Sequence, residues 1–136
     1  MTPDDARDFI RRNHHAVLAT RRRDGGVQMS PVAAVCDEDG TIIISSRETA
    51  MKTHNLRREK RGWLCALNDR FFGEWVQVEG PVTVESLPEA MEALVRYYRL
   101  GFGEHPDWED YRAAMTRDQR VVLRMTIDRA GPTVQG

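Results

Sequence analysis

Residues 15–46 read HAVLATRRRDGGVQMSPVAAVCDEDGTIIISS. Two turn signals divide this stretch into three extended runs. Asp24-Gly25-Gly26 separates His15–Arg22 from a second run, and glycines next to an aspartate suit the positive φ angles of a tight hairpin. The second run, Val27 to Cys36, contains Pro31, which has no N–H to donate. It therefore calls for a sheet edge, a bulge or a broken ladder at that point. Asp37-Glu38-Asp39-Gly40 is the second turn. Thr41 to Ser46 follows as a β-branched strand carrying Ile42, Ile43 and Ile44 in a row.

The rest of the chain extends this pattern. Upstream, Thr2-Pro3-Asp4-Asp5 opens a short helix: Thr2 caps it, Pro3 suits the first position, and the aspartates favour the positive helix end. Downstream, residues 48–60 read as a helix with Met51, Leu56 and Ala50 as its apolar positions. Trp63 to Leu67 is a short buried strand that Asn68-Asp69 breaks. Trp75 to Glu85 has period two, with Val76, Val78, Gly80, Val82 and Val84 on one face, and Gly80-Pro81 suggests a bulge or bend. A helix from Pro88 to about Leu100 carries Met91, Leu94, Val95 and Tyr98 as its stripe, and Gly101 and Gly103 end it. Asp107 to Asp118 is a further helix with Trp108, Tyr111 and Met115 on one side. In the closing strand, Arg120 to Asp128, Val121, Leu123, Met125 and Ile127 face inward and Val122 alternates outward. Ala130 to Gly136 reads as a loose tail. The expected architecture is mostly β with peripheral α: one domain over residues 1–136, an antiparallel barrel of about six strands, with a helical insertion at about 86–118.

Composition removes several classes of function. The 136 residues suit one domain, and 40% hydrophobic with 30% charged content is globular. Asp and Glu number 21 against 20 Lys and Arg, a formal charge of −1, which argues against bulk nucleic-acid binding. No apolar run approaches the roughly 18 residues of a membrane span. The acidic start MTPDDARDF is no signal peptide. Cys36 and Cys65 lie in apolar segments and read as reduced thiols of a cytoplasmic protein. There is no GxSxG, Walker loop or GxGxxG after a strand. His14, His15, His54 and His105 lack metal-ligand spacing, so no metal site is expected. The 37–39 acids read as a turn and Arg21-Arg22-Arg23 as a solvated hairpin tip.

The charges are unevenly placed. Residues 47–61 hold Arg47, Lys52, Arg57, Arg58, Lys60 and Arg61 against Glu48 and Glu59, while residues 85–118 are acidic. This fits a compact anionic ligand, although the charge pattern alone favours a solvated helix face. The segment Ser45-Ser46-Arg47-Glu48-Thr49-Ala50-Met51-Lys52 ends a strand in hydroxyls and starts a helix whose first turn carries a lysine. Unpaired N–H groups, the positive helix end, hydroxyls and an ammonium together make a sound phosphate site.

This junction also resembles that of the split-barrel family related to pyridoxamine-phosphate oxidase, and more closely its actinobacterial branch that uses the deazaflavin coenzyme F420. The resemblance is carried by Ala16-Val17-Leu18-Ala19-Thr20, Asp24-Gly25, Gln28-Met29-Ser30-Pro31-Val32, the run from Lys52 to Arg61, Val78-Glu79-Gly80, and Gly103 to Arg112. It spans about residues 9–128. It implies a six-stranded split β-barrel forming a homodimer, with the cofactor site at the dimer interface. It further implies an F420H2-dependent reductase acting on a small unsaturated organic substrate, with no nucleic-acid or membrane partner. An FMN-dependent oxidase, or a non-catalytic F420 or flavin carrier, are the alternatives. In this resemblance Lys52 contacts the phosphate, and Gln28, Ser30 and Val32 line the ring. Ser45, Thr49, Ala50, Met51 and Asn55 follow the junction, and Trp75 is presented by the facing subunit. Ala50 stands where many members carry Arg, Ser or Thr, which leaves Lys52 and Thr49 with more of the phosphate's charge. His54 replaces a common arginine.

Overall fold

The computed structural model describes residues 1–131. The chain runs α1 (Pro3–Arg12), β1 (His15–Arg21), β2 (Val27–Ala33), β3 (Val35–Cys36), β4 (Ile42–Arg47), α2 (Met51–Arg58), β5 (Arg61–Leu67), β6 (Trp75–Glu85), α3 (Met91–Phe102), α4 (Trp108–Arg117), β7 (Arg120–Met125) and β8 (Arg129–Ala130). Helix α1 starts where its capping residues place it. The Asp5 N–H donates to the Thr2 hydroxyl, and the Thr2 N–H donates to the Asp5 carboxylate.

The strands form one antiparallel sheet in the order β2-β1-β5-β6-β7-β4-β3, and β8 adds to β6. The β1–β2 hairpin closes at Arg22–Gly26, with Gly25 at φ +88°. Pro31 sits opposite Val17 on β2, whose other edge is unpaired, so the edge position accommodates its missing N–H. The predicted single run to Cys36 is split: Ala34 leaves the ladder, its N–H donates to the His14 carbonyl, and β3 turns to pair with β4. No bulge is inserted at Gly80-Pro81. Pairing with β5 continues one-to-one through Pro81, and from Val82 onward β6 pairs with β7. This change of partner curls the sheet, and it brings β2 and β4 near one another along an open seam.

Two apolar clusters hold the sheet. The first fills its concave side with Ile10 of α1, Leu18, Ile42, Leu56 of α2, Leu64, Val78, Leu123 and Met125. The second lies outside β3, β4 and β7, where Val35, Ile43 and Val122 are covered by Leu94 and Tyr97 of α3 and Tyr111 of α4. Val122, read as outward from its alternation, is therefore buried under helices. Tyr97, rather than Tyr98, is the buried tyrosine of α3, and its hydroxyl donates to the Ala33 carbonyl at 2.9 Å. The 86–118 segment thus packs the outer face of the sheet. The predicted loose tail begins tied down: Ala130 pairs with Val78, and the Gly131 N–H donates to Gln77. Its remainder, 132–136, lies outside the described residues. Cys36 and Cys65 are free thiols. Among the described residues, no helix is long and apolar enough to cross a membrane.

An ion-pair hub ties the elements together. Asp37, with its side chain only 2% exposed, accepts from Arg96 of α3 and from Arg124 of β7. Arg124 also donates to Glu85 of β6. The acidic turn is thus no carboxylate dyad, and its first member is the anchor for two elements distant in sequence.

Candidate functional site

The site develops at the open seam, where β4 runs out. Ser46 and Ser45 point to opposite faces of β4. The Ser46 hydroxyl is buried at 3.0 Å from that of Thr53, which donates to the Arg47 carbonyl at 2.7 Å. This small network locks the strand–helix junction and occupies one of the two expected hydroxyls. The turn closes with the Ala50 N–H on the Arg47 carbonyl. Helix α2 begins at Met51, later than the predicted start, which leaves Thr49 exposed in the turn. Its N-cap, Ala50, has extended backbone and offers no side-chain acceptor. The first N–H groups of α2 therefore lack the partner a Ser or Asp cap supplies.

Lys52 sits in this first turn, half-buried, and forms no hydrogen bond or ion pair among the described residues. Burial pushes its ammonium below the usual lysine range, and the positive charge of Arg120 pushes the same way. A nearby anion reverses both effects.

One turn on, Asn55 is fully buried. Its amide donates to the Thr20 hydroxyl at 3.1 Å and to Gln28 Oε1 at 3.4 Å, while its Oδ1 accepts from Arg58 at 3.3 Å. Asn55 and Gln28 thus join α2 to the β1–β2 hairpin. Gln28, Ser30 and Val32 share one face of β2, as the spacing predicts, opposite Thr20, Leu18 and Ala16. That face turns to the concave side. Val32 packs on the core, and the Ser30 hydroxyl is buried with no partner. An orphaned buried hydroxyl is costly, so it marks a place where a ligand or water completes the structure.

Between the hairpin tip and α2 lies a groove of about 790 Å³, walled by Arg22, Arg23, Met51, His54, Arg57 and Arg58. Met51, predicted as apolar helix packing, is exposed on this wall. Arg22 pairs with Asp24, and Arg57 pairs with Glu48 and Ser86. Arg58 donates to the Arg21 carbonyl, and Arg23 has no acidic partner among the described residues. The groove therefore carries excess positive charge. The hairpin arginines, read as a solvated tip, belong to it because β1 and α2 pack together.

Trp75 lies apart from these residues. It opens β6 opposite Leu67 and borders a second cavity of about 1000 Å³ with Phe71 and Phe72. Within one chain the structure joins Asn55 to Gln28 and keeps Ser30 and Val32 on the same face of β2, while Ser45 lies on the face of β4 opposite Ser46, Lys52 stands one turn before Asn55 on α2, and Trp75 lies elsewhere. Sequence reading also missed Arg120. It starts β7 directly opposite Arg47, and its Nε is buried without an acceptor.

A curled antiparallel sheet, open along one seam with a cationic strand–helix junction at its mouth, defines a half-barrel domain. The chain belongs to the pyridoxamine 5'-phosphate oxidase family, which it matches over residues 2–133. Solved structures share the fold. A conserved hypothetical protein from Mycobacterium tuberculosis aligns with a TM-score of 0.77 at 22% identity, over 100% of this chain and 93% of that one. An F420 reductase aligns at 0.72 and 16% identity, over 96% and 98%. A heme binding protein from Mycobacterium smegmatis aligns at 0.68 and 17%, over 94% of this chain and 52% of its own. At these identities the likeness is one of fold.

Proposed function

We propose that this protein is an F420H2-dependent reductase of small unsaturated organic substrates, working as a cytoplasmic homodimer. The observation that carries the reading is Lys52, half-buried and without a partner among the described residues, beside a helix start with no side-chain cap. Membership in the family and the fold shared with an F420 reductase support it.

The residues present fit such a cofactor. Lys52 and the first N–H groups of α2 suit a phosphate. The surplus arginines of the groove suit the carboxylates of a glutamate tail. The orphaned Ser30 hydroxyl suits a polar ring edge. When bound, the reduced deazaflavin supplies a hydride from its C5. The protein's part is to fix position and exclude water, which agrees with the lack of any nucleophile–base pair in the sequence. Lys52→Ala is expected to weaken F420 binding by about 1.5–3 kcal/mol, read by ligand-fluorescence titration. An unchanged Kd in that variant overturns the assignment.

FMN also presents a phosphate that suits this junction, so an FMN-dependent oxidase is the second reading. It is distinguished by which ligand binds. Turnover separates the enzyme from a carrier: hydride transfer to an acceptor supports the first, and tight binding without transfer to any acceptor supports the second.

The homodimer reading rests on an uncovered sheet face. Val17, Ala19, Met29, Pro31, Trp63, Leu67 and Trp75 share the outer face of β1, β2, β5 and the start of β6. Both apolar clusters lie elsewhere. Met29 is 69% exposed, so Met29→Asp leaves the monomer's packing intact. The wild type is expected to sediment as a dimer and the variant as a monomer. A monomeric wild type at micromolar concentration removes the dimer from the account.

A further inference from the structure

The side-chain amides where α2 meets the β1–β2 hairpin have a fixed direction. An amide offers an acceptor at one end and two donors at the other, and the two ends are alike in shape. A guanidinium only donates, so the end of Asn55 that Arg58 touches is the carbonyl oxygen. Arg58 donates to Asn55 Oδ1 at 3.3 Å and is itself anchored on the Arg21 carbonyl at 2.7 Å. The Asn55 NH2 is thereby turned to the hairpin, where it donates to the Thr20 hydroxyl at 3.1 Å and to Gln28 Oε1 at 3.4 Å. Asn55 and Thr20 are both buried, so water is kept from taking over these bonds. A Gln28 amide turned end for end sets NH2 against NH2. The Gln28 oxygen is therefore committed to Asn55, and its Nε2, without a partner among the described residues, is the end left open. Two residues on, the buried Ser30 hydroxyl stands unpartnered on the same face of β2. One strand face thus carries two polar groups that the chain itself does not satisfy.

We propose that Asn55 is a positioning residue and that Gln28, through it, is a specificity-determining one: the relay from Arg58 through Asn55 to Gln28 presents an N–H donor to the bound ring, so that the site takes planar heterocycles with a carbonyl oxygen or a deprotonated nitrogen at that edge and rejects those with an N–H there. The inference rests on the cofactor reading above for the presence of a ring on this face, and on the hydrogen bonds of the relay alone for the direction of the donor. Its chemical logic is an unequal cost. A donor that meets an acceptor exchanges one hydrogen bond for another, whereas a donor that meets a donor leaves both unsatisfied once water is excluded. The Arg58 charge adds to the effect, because it polarises the Asn55 carbonyl and strengthens the bonds made at the other end of that amide.

The test reverses the polarity of the relay. In Asn55→Asp the carboxylate still accepts from Arg58 but has no N–H, so Gln28 is expected to turn its NH2 inward and its oxygen toward the ring. Wild type, Asn55→Asp, Gln28→Ala and the double variant are titrated with F420 and with FMN. Each single substitution is expected to weaken the ligand that binds by about 10-fold, and the double variant to bind no more weakly than Gln28→Ala. No loss in Asn55→Asp, or a loss that adds in full to that of Gln28→Ala, overturns the relay while the cofactor reading stands. Gln28→Glu guards against a folding defect at Asn55. Its carboxylate keeps the Asn55 contact but offers no donor, and it is expected to lose at least about 10-fold. Wild-type affinity in Gln28→Glu overturns the proposal. If the wild type binds neither ligand, the cofactor reading fails and the ligand-free protein decides the relay. The Gln28 side-chain NH2 resonances are expected to move with pH in Asn55→Asp, as the new carboxylate ionises, and to stay in place over the same range in the wild type. Resonances that stay in place in both overturn it.

Discussion

Replacing Asp37 with alanine is expected to destabilise the fold by about 3 kcal/mol, read as a lowered urea midpoint. Asp37 is buried, and its two carboxylate oxygens satisfy Arg96 and Arg124 at 2.8–3.1 Å. Removing it leaves the largely buried Arg124 and the one-third-exposed Arg96 each short of an acceptor. Arg124 retains Glu85, which keeps the loss near the lower end for a broken buried pair. Glu92→Ala, which removes an exposed pair with Arg112, is expected to leave the midpoint in place. The same carboxylate sets an acid limit. Burial alone raises its pKa, but the hydrogen bonds from Arg96, Arg124 and the Glu38 N–H hold it at about 2, against 3.8 when free. A group with a depressed folded pKa stabilises above its unfolded value. Its contribution is complete above 3.8 and is lost as the pH falls toward about 2. In Asp37→Ala this part of the acid transition disappears. An unchanged midpoint and an unchanged acid limb contradict the hub.

Gly80→Ala is expected to cost about 3 kcal/mol or more. A Cβ there falls 1.8 Å from the Thr126 carbonyl oxygen and 3.1 Å from the Asp128 nitrogen. Both are backbone atoms, held by Thr126 N–H to Pro81 and Asp128 N–H to Glu79. No rotamer change relieves the clash, so β6 and the chain after β7 must separate where the sheet curls. Gly62→Ala is the comparison: its nearest contact is a Val82 methyl at 3.3 Å, which can shift, and the loss is expected to be smaller. Equal midpoints for the two variants contradict the close approach at the crossover.

Local chemistry was legible in the sequence where it acts locally. The Thr2 cap and the glycine hairpin each depend on a few adjacent residues and form where the sequence places them, whereas α2 starts at Met51 rather than at 48. What depends on distant partners was not legible. Alternation gives the faces of a strand but not what covers them, so Val122 read as outward although α3 and α4 lie over it. Asp37 read as a turn residue because its partners lie 59 and 87 positions away. The Arg22-Arg23 wall and the Arg120 contact have the same cause: the fold brings the hairpin to α2 and the last long strand to β4. Asn55 was expected at the cofactor, and the structure shows it buried and tying α2 to the hairpin through Thr20 and Gln28.

The central claim is that the cationic seam holds a phosphorylated deazaflavin. Its most direct test is a titration of the wild-type protein with F420 and, separately, with FMN, following ligand fluorescence at low and moderate salt. The account predicts tight F420 binding, weaker FMN binding, and affinities that fall as salt screens the seam. Preferential FMN binding, or no binding of either ligand at low salt, contradicts it.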